Sequence, residues 1–371
     1  MKKLGFGLMR LPLLSEFDRA SVDLEVTIKM ADHFIEQGFT YFDTAYMYHL
    51  GNSETVFKKA VAERYPRDAF TIADKMPVWL VKESGDYQKY FDEQFGRCGV
   101  DYFDYYLLHN LGGNAYTDTL KCGGFEFIKG IKAAGKARRI GFSFHDSAEL
   151  LDRILTEQND VDFVQLQINY IDWDNEGIQS RKCHEVAVKH RMPIIVMEPV
   201  KGGSLASIPE DAEKIFNGYN SAASAASWAI RFAASLENVF VVLSGMSTTG
   251  QVADNVGYMR DFKPFNSDER ALVEQVAALI NKNTAIPCTA CAYCTEDCPQ
   301  NIAIPQYFSL YNNQKQFGLT PSQTVYYNNL AAGGHGKASD CVACKQCEEH
   351  CPQHIEVAER LKEIAAVFEK S

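Results

Sequence analysis

Eleven cysteines stand in a chain of 371 residues, and eight of them fall after residue 287 in two groups of four. The first group is Cys288, Cys291, Cys294 and Cys298, followed by Pro299; the second is Cys341, Cys344, Cys347 and Cys351, followed by Pro352. Each reads C-x2-C-x2-C-x3-C-P, a spacing that holds 4Fe–4S clusters. Two-residue gaps let three thiolates wrap one face of a cubane while backbone N–H groups point at its sulfides. The fourth cysteine opens the next element, points away and serves the other cluster. One cluster is therefore assigned to Cys288, Cys291, Cys294 and Cys351, the other to Cys341, Cys344, Cys347 and Cys298. Structural zinc, the alternative for clustered cysteines, usually takes two C-x2-C pairs rather than a triplet. Two clusters could simply staple a tail with little core of its own. Swapped ligands also bring them close enough to pass electrons, so an electron-carrying role is expected.

A second set of reactive residues lies at the ends of strand-like runs. Residues 39–42 lead into Asp43, with Tyr48 five positions later; 70–73 lead into Asp74 and Lys75; 104–108 lead into His109. If Asp43, Tyr48, Lys75 and His109 converge, they form a general acid. A buried ammonium beside a phenol is expected to favour the phenolate and lower its pKa. Asp43 would compensate Lys75, and His109 would hydrogen-bond a substrate oxygen. The phenol would then protonate a carbonyl oxygen as hydride reaches carbon. Taken singly, a lysine after a strand is usually a solvated charge, and a tyrosine in an aromatic run is usually packing.

What must position these residues is an alternation of short β-branched or aromatic runs with amphipathic stretches. Strands are predicted at 4–9, 39–43, 70–75, 104–109, 138–143, 162–168, 193–198 and 239–244. Helices are predicted at 53–64, 86–97, 124–134, 147–157, 177–190, 222–235, 248–258 and 267–281. Alternating elements imply a parallel sheet. Eight strands in about 260 residues suit a (β/α)8 TIM barrel, whose strand C-termini gather catalytic groups; a doubly wound sheet is the alternative. The barrel is expected over 1–284. A mainly α-helical ferredoxin-like domain is expected over 285–371, with helices at 305–317 and 321–331.

The net charge of −11 argues against nucleic acid, which is held mainly by basic contacts to phosphate, and against an anionic membrane surface. No run of about 20 apolar residues spans a bilayer. The N-terminus has no apolar signal core, so a cytoplasmic location is expected.

Further motifs make the chain resemble the aldo–keto reductase family over residues 4–281. Gly5-Phe6-Gly7 looks like its first strand, and Asp43-Thr44-Ala45 with Tyr48 like its Asp–Tyr signature. Lys75 and Leu107-Leu108-His109 match the other two members of its catalytic tetrad. By the resemblance, Ser143 (in Gly141-Phe142-Ser143) and Gln165 would meet the nicotinamide carboxamide, with Phe144 where the family usually has Asn. Met197 would stand where an aromatic stacks on the nicotinamide. Pro199, Gly202 and Gly203 would cover the pyrophosphate. Ser244, Gly245, Met246, Gln251, Asp254 and Asn255 would form the adenosine-phosphate loop and helix. The cations that hold a 2′-phosphate in NADP-preferring members fall at Gly245 and Gln251, both uncharged. The dinucleotide is thus expected to be NAD(H) at least as readily as NADP(H), unless Lys201 supplies the charge. FMN on the last βα loops is a further cofactor reading. The tail makes the chain similar to the subgroup with a C-terminal two-cluster ferredoxin.

The reading is an oxidoreductase that acts on a carbonyl/alcohol pair in a small-molecule substrate, with electrons passing through the clusters and a redox partner protein as a further expectation. Nicotinamides move two electrons and clusters one, so coupling them needs a flavin or a radical-tolerant substrate. One rival is therefore a flavin- or cluster-linked reductase whose tetrad only supplies protons. Another is an electron-transfer or redox-sensing module on a vestigial barrel. His145, Trp79, Trp173 and Tyr170 fall in loops after strands, where they either line the pocket or pack. Cys98, Cys122 and Cys183 lack ligand spacing and read as buried thiols.

Overall fold

The structure, a computed structural model, describes residues 2–15, 18–288, 294–295, 298–349, 351 and 353–369. Eight strands are formed: β1 (Leu4–Gly7), β2 (Tyr41–Asp43), β3 (Thr71–Met76), β4 (Phe103–Leu111), β5 (Ala137–Phe144), β6 (Phe163–Gln167), β7 (Ile194–Met197) and β8 (Val239–Gly245). Each pairs in parallel with the next, and β8 pairs with β1. The sheet closes into a barrel, which excludes the doubly wound alternative.

Strand side chains alternate faces, and here the alternation sorts two cores. Phe6, Phe42, Ile72, Leu108, Phe142 and Val164 belong to the outer core of strands and surrounding helices. Tyr41, Ala73, Leu107, Phe163, Ile195 and Val241 fill the barrel. Gly141 is required there: a Cβ would stand 2.3 Å from the Phe163 carbonyl oxygen.

The helices largely follow the predicted segments; Glu210–Tyr219 and Val357–Phe368 are helices the sequence reading did not place, and three further differences have a visible local cause. Leu24–Glu36 is a helix that the β-branched run Val26-Thr27-Ile28 obscures; the Asp23 carboxylate caps it, accepting from Val26 N at 3.0 Å. Gly113–Lys121 is helical despite starting in a glycine pair of poor helix propensity. The stretch expected as one helix over 53–64 divides into Ser53–Phe57 and a π turn, Lys58–Ala62.

The chain folds into two compact units. The first comprises 1–173, 178–201 and 226–268 and contains the whole barrel sheet. The second comprises 174–177, 202–225 and 269–371. In its tail, helices Ile304–Phe317, Pro321–Ala332 and Val357–Phe368 enclose a core that includes Ile302, Tyr307, Phe308, Tyr327 and Leu361. Ile302 and Gly336 form a parallel bridge beside it. Among the described residues no helix is long and apolar enough to cross a membrane.

Candidate active site

The site is built two residues further along each strand than the inner core. Tyr41, Ala73, Leu107, Gly141, Phe163 and Ile195 are followed on the same face by Asp43, Lys75, His109, Ser143, Gln165 and Met197. One period-two pattern thus makes an apolar floor and a polar layer above it.

Lys75 Nζ donates to Asp43 Oδ1 at 2.5 Å and to the Thr44 carbonyl at 2.6 Å, and both side chains are buried. The same ammonium lies 4.9 Å from the Tyr48 ring centroid. Tyr48 and His109 meet edge to face at 6.1 Å, and Trp79 lies 5.2 Å from His109. Gln165 donates its amide to Asp43 Oδ2 at 3.2 Å. Ser143 Oγ accepts from Asn110 N at 2.7 Å.

Tyr48 opens a short turn in which His49 (φ 52°) and Leu50 (φ 55°) are left-handed, a conformation costing about 1–2 kcal/mol per residue. The loops around it hold the turn in place. Leu11 N donates to His49 Nε2 at 3.2 Å, which leaves Nδ1 protonated and donating to the Arg19 carbonyl at 2.9 Å. Thr44 and Ser53 hydroxyls pair at 2.8 Å beneath it.

The electrostatics correct one expectation. Burial raises the Tyr48 phenol above its ordinary value; Lys75 pulls it back, and Asp43 and Glu198 add to the rise. The phenol therefore stays protonated instead of being tipped to phenolate, because desolvation outweighs a cation shared with Asp43. Burial alone would lower Lys75, but Asp43 and Tyr48 hold it above the ordinary lysine value. Burial, then Lys75 and His145, push His109 well below the usual histidine range, so it stays neutral. Its Nδ1 has no partner among the described residues, leaving an uncharged ring with hydrogen-bonding capacity to offer.

The remaining predicted residues are less uniform. His145 Nδ1 meets Gln167 Oε1 at 3.2 Å. Phe144 is buried in the outer core, as is Met246, so neither side chain is offered to a ligand. Asn255 donates to Ser244 Oγ at 2.8 Å. Gln251 Oε1 accepts from Ser247 N at 2.7 Å, closing the loop ahead of helix Thr249–Met259. Asp254 is exposed on that helix, and Pro199 is buried. Lys201 is tied to the buried Asp172 at 2.6 Å, a commitment the sequence does not announce. Gly202 and Gly203, with φ of 65° and 106°, belong to the second unit. Glu198, also left-handed at φ 56°, acts electrostatically on both Tyr48 and His145. Nothing in its sequence context singles it out except its place after β7.

In the second unit, Cys298, Cys341, Cys344 and Cys347 line one cavity, closed on its apolar side by Ile302 and Leu361. Ala343 (φ 54°) and Lys345 (φ 65°) are left-handed within that cysteine loop, and such backbone forms anion-binding concavities. Burial pushes the Cys347 thiol up to about 11, with Cys341, Glu348, Cys344 and Cys298 adding to it. Among the described residues these sulfurs do not form a group within 4.8 Å. One tetrahedral zinc, with bonds of about 2.3 Å, would need them closer than that. Cys294 is buried and Cys288 and Cys351 are half-buried; Cys291 lies outside the described residues.

With this geometry in hand, comparison gives the class. Residues 3–278 match the aldo/keto reductase family, and residues 287–356 match a 4Fe-4S dicluster domain. The chain belongs to the aldo/keto reductase family, and a 4Fe–4S dicluster domain follows its barrel. Similar solved structures include an aldo-keto reductase from Bacillus halodurans in its holo form, with 21% identity, a TM-score of 0.60, and coverage of 74% of this chain and 91% of that one. Another is an aldo/keto reductase from Klebsiella pneumoniae in complex with NADP and acetate, at 19% identity, a TM-score of 0.58, and coverage of 74% and 90%. A third, from Brucella melitensis, has 19% identity, a TM-score of 0.55, and coverage of 74% and 94%.

Proposed function

We propose that the barrel interconverts a carbonyl and an alcohol with a nicotinamide dinucleotide, and that the two clusters of the domain at 285–371 carry electrons. The observation that carries this reading is the buried Asp43–Lys75 pair at 2.5 Å against the ring of Tyr48. The dinucleotide, when bound, supplies or accepts hydride. Tyr48, protonated at neutral pH, gives its proton to the substrate oxygen; Lys75, held by Asp43, offsets the charge left on the phenol. Neutral His109 orients the same oxygen by a hydrogen bond. Gln165 and Ser143, in the polar layer, line the carboxamide end. Family membership and the NADP-bound Klebsiella neighbour support a dinucleotide rather than FMN. Trp79 and Met47, exposed at 43% and 46% beside the site, favour a substrate with an apolar body.

The test is turnover of a carbonyl panel with NADPH and NADH under anaerobic conditions. Tyr48→Phe should bind nucleotide as the wild type does and lose about 10²–10⁴-fold in kcat, the usual share of a general acid. Full activity in Tyr48→Phe would remove the tetrad from the chemistry. A second reading, in which the clusters rather than a nicotinamide reduce the substrate, draws on Phe144 turning away and Met197 replacing an aromatic. It would be upheld by turnover with a one-electron donor and none with either nucleotide.

A further inference from the structure

At the C-terminal mouth of the barrel, β1 and β8 run side by side, with Gly7 opposite Gly245. Gly245 is the end of β8 and has no side chain to offer. A Cβ placed there would stand 3.1 Å from Arg10 Cδ and 3.3 Å from its Cβ and Cγ. The Arg10 stem therefore fills the room that a side chain at 245 would take. The Arg10 carbonyl is fixed to the same loop, accepting from Ser247 Oγ at 2.6 Å. Its guanidinium, in contrast, has no hydrogen bond or ion pair among the described residues.

Other candidates near this end are committed. Lys201 holds Asp172 at 2.6 Å, and Gln251 turns back onto Ser247 N. A half-buried guanidinium fixed at its stem and unpaired at its head is arranged to receive an acceptor. Arginine suits phosphate oxygens, which its planar fork meets two at a time. The loops after the last barrel strands are where such folds take phosphate groups, and this loop leads into helix Thr249–Met259, whose N-terminal dipole favours the same charge.

We propose that Arg10 binds a phosphate of the nicotinamide dinucleotide, delivering from the β1 loop the cation that Gly245 cannot carry. The inference rests on the dinucleotide reading above. It also revises the expectation that this end of the site is uncharged.

Arg10→Gln is the discriminating variant, because glutamine keeps Cβ, Cγ and Cδ against Gly245 and removes only the charge. Wild type and variant are titrated with NADPH and with NADH, following protein fluorescence at low and high salt. Thermal melting serves as the folding control. The variant should melt as the wild type does and bind about ten-fold or more weakly, with a shallower salt dependence. A loss confined to NADPH places the contact on the 2′-phosphate; an equal loss for both nucleotides places it on the pyrophosphate. Unchanged affinity and salt slope, in a protein that binds nucleotide, overturn the inference and leave the functional reading standing. A wild type that binds neither nucleotide overturns both.

Discussion

Lys75 stands between two carboxyl groups with different duties. Asp43 faces the site and pairs with the ammonium. Asp74, next in sequence and so on the opposite face of β3, accepts the Lys75 backbone N–H at 2.8 Å. Behind it sit Glu54 and Cys98, with one polar atom from each of the three residues within 4.8 Å of the others; Arg97 reaches Glu54 at 3.1 Å. Burial, and then the charge of Glu54, hold the Asp74 carboxyl well above its ordinary value. The folded protein thus keeps a proton that the unfolded chain releases above its ordinary aspartate pKa of about 3.9. That stabilisation is complete below the unfolded value and is lost as pH rises through the folded one. Asp74→Asn keeps the acceptor for Lys75 N and is neutral at every pH. Its melting temperature relative to wild type should therefore climb as pH rises from acid to neutral and alkaline. A difference independent of pH would show that the fold does not hold Asp74 protonated.

At the scale of elements, the inward layer of side chains is where packing is least forgiving. Gly141→Ala forces a Cβ to 2.3 Å from a backbone oxygen of β6, which cannot rotate aside. Overpacking of this kind costs about 1–3 kcal/mol or more. Gly130→Ala, on an exposed helical position where a Cβ meets nothing, should stabilise by about 0.4–1 kcal/mol. Thermal melts of the two variants should move in opposite directions, and a Gly141→Ala that melts as the wild type would refute the tight inner layer. The same alternation explains what was legible in the sequence. Strand ends such as Asp43, Lys75 and His109 stand out because a polar residue closes an apolar run. Leu24–Glu36 does not, because Val26, Thr27 and Ile28 carry strand character while tertiary packing makes them helical. Nor does Arg10, three residues past the end of β1: its meaning depends on Gly245, distant in sequence and adjacent only once the barrel closes. Lys201 reads as an available cation until Asp172 is seen to hold it. The net protonation of Tyr48 is equally hidden, since the sequence names its cationic neighbour but not the burial that outweighs it.

At the scale of the whole molecule, a barrel suited to two-electron chemistry is joined in one chain to a domain suited to one-electron carriage, and the ligand set decides whether that domain holds its clusters as an interlocked pair. Cys298 is the informative position. It belongs by sequence to the first cysteine run, yet it lines a cavity with Cys341, Cys344 and Cys347 of the second. Its Sγ also accepts from Ile302 N at 3.4 Å, the kind of backbone contact that tunes a ligating thiolate. If ligands are swapped, Cys298→Ala and Cys344→Ala damage the same cluster, whereas Cys288→Ala damages the other. Protein prepared anaerobically and reduced should then give matching paramagnetic resonance spectra for the first two variants and a different one for the third. Each variant should retain about half the iron and acid-labile sulfide of the wild type, in which two cubanes hold eight of each. Cys183→Ala, removing a buried barrel thiol, should leave iron content and spectra unchanged. A Cys298→Ala spectrum that matches Cys288→Ala instead would mean that each run closes on its own cluster, and stoichiometric zinc in the wild type would end the cluster assignment altogether.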